Sequence, residues 1–439
     1  VNWRSCFIYS IDDNTGKRNG NLRVLASMIT AVLLAGVATP VASAPPLDFE
    51  SAPIHYSEAT PDNAVSRLQV AIDNGDKSLP FEEQFGYLRA VLKELDVPES
   101  SQMLTFLKSS LQRPLIGPQN ARALYFGDDA YVGYVPNGML ELIVADEKLG
   151  MVFYTLEQNA EEPKFERQVA RCMTCHSSSR TKNIPGLQVR SMMTDPDGEP
   201  VIPEGSFRTD HSSPFEKRWG GWFVSGTHGD VRHLGNFQLP DKKRPQQPIK
   251  NTAGANVTDL SPLTDVSKHL TPHSDLVALM VFEHQIDAHN LMVRTNYAWQ
   301  IDEHHGTSAG GDARWRQEAD ALVDHLLFTT QLRFNQPIAG TSRFAEEFSQ
   351  PGRSQEQAIP LRQLDLKTRV FGSPVSYTVK SAFYRSLPIS VRRYITEQIT
   401  NRLREASRQS PEDRPNQQFV LNRLPDILLS GQVRSENEQ

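Results

Sequence analysis

Between Ala59 and Leu111 apolar residues recur at the three- and four-residue spacing of short helices. "TPDNAVSRLQVAIDNG" offers Thr60 as N-cap, Pro61 in the first turn, Ala64, Leu68 and Ala71 on one face, and Gly75 as a stop. "PFEEQFGYLRAVLKEL" repeats the pattern with Phe85, Leu88 and Leu92, and "SQMLTFLKSSL" with Met103, Phe106 and Leu107. The period then shortens to that of strands. "ALYF", "AYVGYV", "LELIVAD" and "GMVFYTLE", between Ala123 and Glu157, are separated by "GDD", "PNG" and "EKL" and predict a short antiparallel β-meander. Glu161, Glu162 and Pro163 then introduce a further helix.

Residues 181–250 are rich in Gly, Pro, Ser and Asp, yet they also carry Phe207, Phe215, Trp219, Trp222 and Phe223, which predicts a segment wrapped around something. Pro240–Asp259 reads as the most mobile stretch. A long helix is expected from near Thr271–Pro272 through "HSDLVALMVFEHQIDAHNLMVRTNYAWQ", with Val277, Met280, His284, Ala288, Leu291, Thr295 and Ala298 on one face. "RWRQEADALVDHLLF" and "ISVRRYITEQITNRLREAS" predict two later helices.

The expected class is α+β and predominantly α. A helical segment over 45–115 precedes the meander over 116–160, a helical region with long wrapping loops over 161–300, and C-terminal helices over 301–439. Residues 1–44 read differently. Lys17, Arg18 and Arg23 precede the apolar run "VLASMITAVLLAGVA" and the small-residue stretch "TPVASA", the pattern of a secretory signal peptide. Cleavage is expected near Ala44, or after Ser43 because Pro45 disfavours the first site; an uncleaved anchor is the alternative, although the run is short of the ~20 residues a bilayer needs. The expected location is the periplasm, with no stable membrane span after cleavage. A net charge of −6 argues against nucleic acid as a partner, since phosphate binding needs a basic face.

Export changes the meaning of the cysteines. Cys6 lies upstream of the apolar run, so the mature chain keeps Cys172 and Cys175, which form C-x-x-C-H with His176 in "ERQVARCMTCHSSSRTKNIPGL". A bridge across so short a loop would constrain little, so the pair points to local chemistry. Three chemistries use this spacing. Covalent haem attachment needs two thiols on one helical turn with the following histidine placed to reach the iron, and the motif supplies all three in an exported chain. A zinc site could pair the cysteines with His228 and His233 or with His284 and His289, but the gap far exceeds the ~12–15 residues typical of such sites. A redox dithiol wants the motif at a helix start in a βαβ pattern, whereas the strands here read as antiparallel.

On Cys172, Cys175 and His176 the chain resembles c-type cytochromes. The resemblance implies a helical cytochrome c-like haem region over 161–300, one covalent haem c, thioethers at both cysteines and His176 as the proximal iron ligand. Pro185 in "NIPGL" is similar in placement to the proline whose carbonyl, in small cytochromes c, orients that ligand. "RTDHSSPFEKRWGGWFVSGTHG" and "ARALYFGDDAYVGYV" resemble large exported bacterial proteins with a single such motif, a likeness that implies an architecture and no reaction.

Arg208–Gly229 is expected to wrap the haem, with Arg208 and Arg218 on the propionates, and Trp219 and Trp222 as flat apolar walls. The second axial position has Met192, Met193, His211, His228, Met280 and His284 as candidates, or stays open. Two strong ligands would make an electron-transfer protein serving a redox partner. An open iron would make a peroxidase-like oxidoreductase, in which His211 or His228 moves a proton beside Arg208. A haem-based sensor ranks last. Electron transfer is the reading the sequence favours.

Overall fold

The computed structural model describes residues 47–159, 162–240, 251–350, 360–409 and 414–429. The expected signal peptide, and residues 241–250 of the stretch expected to be mobile, lie outside them. The described residues form one compact unit.

Asn63, three residues beyond the expected cap, starts α1 (Ala64–Asp73). Its side chain accepts from the backbone N–H groups of Val65 and Ser66, and the Ser66 hydroxyl answers at the Asn63 N–H. Asn74 and Gly75 end the helix, Gly75 at a φ of 75° that favours glycine. The second helix, α2, is one short piece, Leu88–Glu94.

The third apolar run is a strand. Met103–Thr105 forms β1 and opens an antiparallel sheet that continues in chain order with β2 (Arg122–Phe126), β3 (Ala130–Tyr134), β4 (Leu140–Asp146), β5 (Gly150–Leu156) and β6 (Phe165–Arg167). This overturns the short meander, since the sheet gains a strand at each edge. Both additions are three-residue pieces whose helical appearance loses to ladder hydrogen bonds, Leu104 pairing with Ala123 and Glu166 with Thr155.

The helical cytochrome c-like region is overturned as well. After β6 come a single turn, α3 (Met173–His176), the short strands β7 (Val189–Ser191), β8 (Phe207–Thr209) and β9 (Gly226–Thr227), and irregular backbone up to α4 (Leu276–His304). α5 (Arg314–Leu326), β10 (Ala339–Gly340), α6 (Phe344–Ser349), α7 (Ala382–Ser386), α8 (Ile389–Gln409) and α9 (Arg414–Leu429) complete the chain. With 36% of residues helical and 15% in strands, the protein is a mixed α and β structure and not a predominantly helical one. No helix among the described residues is long and apolar enough to cross a membrane.

The sheet divides the packing. Tyr125, Val132, Leu142 and Tyr154 share the face toward α1, where the Tyr154 hydroxyl meets Asn63 at 3.0 Å. On the other face, Phe126 and Tyr131 pack against Phe282 of α4. Asp275 caps α4 by accepting from Val277 and Ala278. The expectation of one apolar face on α4 does not hold: the helix is buried nearly all round from Leu276 to Val293, Glu283, His284, Asp287 and His289 included. Most of these polar side chains are satisfied by neighbouring elements, Glu283 by Arg218, His284 by Ser376 and His289 Nδ1 by Tyr131.

Candidate functional site

The α3 turn is closed by the Cys175 and His176 N–H groups, which both donate to the Cys172 carbonyl, at 3.2 and 2.9 Å. Residues 177–187 then fold back over it. Thr181 donates through its hydroxyl to the carbonyls of His176 and Ile184, and the Gly186 N–H donates to the His176 carbonyl at 2.9 Å. The same glycine's carbonyl lies 2.8 Å from His176 Nδ1. A carbonyl can only accept, so Nδ1 carries the proton and the Nε2 lone pair is free. Burial holds the imidazole below its ordinary pKa, hence neutral near pH 7.

α4 pins this loop. The Asn290 side chain accepts from the Leu187 N–H and donates to the Leu187 carbonyl, both at 2.8 Å. Asn290→Ala is expected to cost roughly 1–3 kcal/mol by stranding two buried backbone groups. The check is chemical denaturation, with His176 reporting the loosened loop through the NMR shift of its ring.

Cys172, Cys175 and His176 all line one cleft of about 1300 Å³, counted to its open mouth. The opposite wall is the sheet face on which Leu124, Gly133, Glu141 and Thr155 form one cross-strand row, and Tyr131, Ile143 and Phe153 the next. The Phe153 ring packs on His176 with centroids 4.9 Å apart. The wall is mainly apolar, with charges at chosen points: Arg122, Arg171 and Arg190 against Glu141.

Arg122 and Glu141 form an ion pair on the sheet face, 20% and 13% exposed. Gly133 makes room for it, since a Cβ there would lie 2.7 Å from an Arg122 terminal nitrogen. Arg122 Nε and Glu141 Oε1 are buried without a hydrogen-bond partner. Burial, helped by Glu141, pushes the Cys172 thiol up to about 11, so it is a protonated thiol near pH 7.

Of the residues singled out in the sequence, the structure brings Cys172, Cys175, His176 and Trp222 to the cleft. The Trp222 indole N–H donates to the Arg190 carbonyl at 2.8 Å. Pro185 is buried beside the cleft, but its successor Gly186 supplies the carbonyl to His176. Arg208 turns away to Asp287, at 3.3 Å, and to Asp210. Trp219 is fully buried and donates to Glu283 at 3.1 Å, next to the buried Arg218–Glu283 pair. The wrapping segment is therefore reduced to Trp222, because α4 presents Glu283 and Asp287 as stronger partners for its arginines.

None of Met192, Met193, His211, His228, Met280 and His284 lines the cleft. Met193 packs with Val201 and Leu239 in a separate small cluster. The zinc pairing also fails on geometry. His228 Nε2 faces His233 Nε2 at 3.1 Å, His284 meets His211, and His289 Nδ1 takes the Tyr131 hydroxyl at 2.8 Å, so none of them reaches the cysteines. A redox dithiol fits poorly too, since such sites lower a thiol's pKa and this one is raised.

Sequence reading missed Arg122, Glu141, Arg190 and Asn290. A glycine inside the strand "AYVGYV" was the available signal, marking a close approach of another group. In comparisons with known proteins, no family model matches the chain, no curated protein matches it, and no solved structure matches it.

Proposed function

We propose that this is an exported haem c redox protein, its haem bound covalently in the cleft and its iron left without a second histidine or methionine ligand. One observation carries the reading: both thiols of the motif and a neutral histidine with its Nε2 lone pair free line the same largely apolar cleft. Cofactor sites are commonly largely apolar clefts with a few placed polar groups, and these residues fit that description. Cys172 and Cys175 would hold the group, and His176 would ligate it, its ring oriented by Gly186 as metal-bound histidines are oriented by an outer acceptor. Arg171 and Arg190 line the same cleft and suit its carboxylates.

When bound, a haem supplies one-electron chemistry and, where a position is open, binding of small molecules. The chain's own part is to exclude bulk water with the Phe153, Ile143 and Leu124 wall and to offer Arg122 as a fixed positive charge. Glu141 beside it can accept a proton. Among the described residues, none of the candidate ligands Met192, Met193, His211, His228, Met280 and His284 lines the cleft, which supports this open reading beside the simple electron carrier.

The test is periplasmic production, denaturation and a reduced optical spectrum with and without carbon monoxide. Haem should stay with the denatured chain, disappear from it in the Cys172→Ala, Cys175→Ala double variant, and respond to carbon monoxide when native. A low-spin spectrum indifferent to carbon monoxide would restore the electron carrier. A chain that never retains haem would defeat both.

A further inference from the structure

We propose that His211, His284 and His325 are the ligands of a divalent transition-metal ion, at a second site separate from the C-x-x-C-H cleft. The three come from different parts of the chain: the loop after β8, the middle of α4 and the end of α5. All are buried, and one ring nitrogen of each lies within 4.8 Å of the others.

The outward nitrogens are each engaged. His211 Nε2 lies 3.1 Å from the Thr330 hydroxyl, His284 Nε2 lies 2.7 Å from the Ser376 hydroxyl, and His325 Nε2 donates to the His284 carbonyl at 2.9 Å. That leaves the His211 and His284 Nδ1 atoms facing each other, with the His325 ring stacked over both. Histidines that bind metal are held this way, one nitrogen on the ion and the other on a hydroxyl, carbonyl or carboxylate. Donation to a carbonyl fixes the proton of His325 on Nε2, so its Nδ1 is a free lone pair.

His211 Nδ1 and His284 Nδ1 face each other at 2.8 Å. If both rings donate outward, two lone pairs meet there, and a cation between them removes the conflict. Tetrahedral ligands at ~2.0–2.1 Å from zinc stand roughly 3.4 Å apart, a spacing that falls between the closest and the widest separations in the trio. His325 stacks face-on over both rings, within 13° of parallel, so binding one ion with all three requires the His211–His284 pair to open and the His325 ring to turn edge-on. Asp210 and Asp287 lie near His325, each also paired with Arg208. Imidazole nitrogens select borderline ions, with zinc the first expectation.

This proposal does not rest on haem. Metal other than iron would be counted by elemental analysis in the full chain and in the Cys172→Ala, Cys175→Ala variant. About one equivalent is expected in both, retained through gel filtration and removed by a strong chelator with a fall in Tm. Cobalt added to the stripped protein should give visible d–d bands without thiolate charge-transfer absorption, and His325→Gln should weaken cobalt binding at least tenfold. Folded wild-type protein that contains no such metal and takes up no cobalt would overturn the site and leave a proton shared between His211 and His284. Loss of cobalt binding in the cysteine variant would overturn it equally.

Discussion

Arg218→Ala is expected to destabilise the protein by roughly 3–5 kcal/mol, enough to unfold many domains at 37 °C. Neither Arg218 nor its partner Glu283 has any exposed surface. Arg218 also donates from Nε to the Ser213 carbonyl at 2.8 Å and from a terminal nitrogen to the His211 carbonyl at 3.2 Å. Truncation strands a carboxylate in the core together with two backbone carbonyls. Burial already pushes the Glu283 carboxyl up against the pull of Arg218, so without the arginine it would be driven to take a proton. Replacing both charges, as Arg218→Met with Glu283→Leu, should recover part of the loss, because no buried charge is left unpaired, while the Ser213 and His211 carbonyls and the Trp219 indole N–H still lose their partners. A double-mutant cycle in urea checks this. If the double variant is as unstable as the sum of the singles, the charge argument is wrong and packing of the arginine stem is the cause.

The second large effect is acid instability at a pH where carboxylates remain ionised. His269 and His289 are buried and held down to about 4, and His233 to about 3, in each case chiefly by burial. Above pH ~6.5 these imidazoles are neutral folded or unfolded and contribute nothing to pH dependence. Below it the unfolded chain takes up protons that the folded chain refuses until each lowered value is reached, so stability falls from pH ~6.5 towards pH ~4. For His269 and His289 the loss is about 3 kcal/mol each on that interval. Asp129 and Glu283, raised by burial, act in the opposite sense and blunt the fall. Urea midpoints should be level from pH 8 to 6.5 and drop steeply by pH 4.5. His289→Gln should flatten the drop by about half the amount of the two together, and midpoints that stay level to pH 4.5 would refute the account.

His289 shows why such groups resist sequence reading. In "EHQIDAHNLM" its spacing to His284 suggests a shared ligand role, yet the tertiary fold sends it to Tyr131, on the sheet. The Gln285 amide donates to the Tyr131 oxygen at 3.1 Å, so the tyrosine proton goes to His289 Nδ1 and Nε2 is left as a buried donor without a partner. Six residues earlier on α4, the same logic turns Glu283 toward Arg218 and Trp219, and so withdraws both from the haem loop expected at Arg208–Gly229.

The α4 and α5 helices, the four central strands and the C-x-x-C-H turn were legible because each depends on near neighbours in sequence: a run of one period, a cap such as Asp275, a motif closed by its own backbone. β1 and β6 were not. Three residues carry too little periodicity, and their conformation is set by the strands they pair with. The sequence by itself determined the chemical types at the candidate site, two thiols and an imidazole held within five residues of one another. Only the tertiary structure decided what faces them. It placed Arg122, Gly133 and Glu141 across the cleft, put the Gly186 carbonyl rather than that of Pro185 on His176, and left Met192, Met193, His211, His228, Met280 and His284 off its lining. The physical reason is that a side chain's partner is chosen by burial: an arginine or histidine taken out of water goes to whatever acceptor long-range packing brings within reach, and spacing along the chain does not encode that choice.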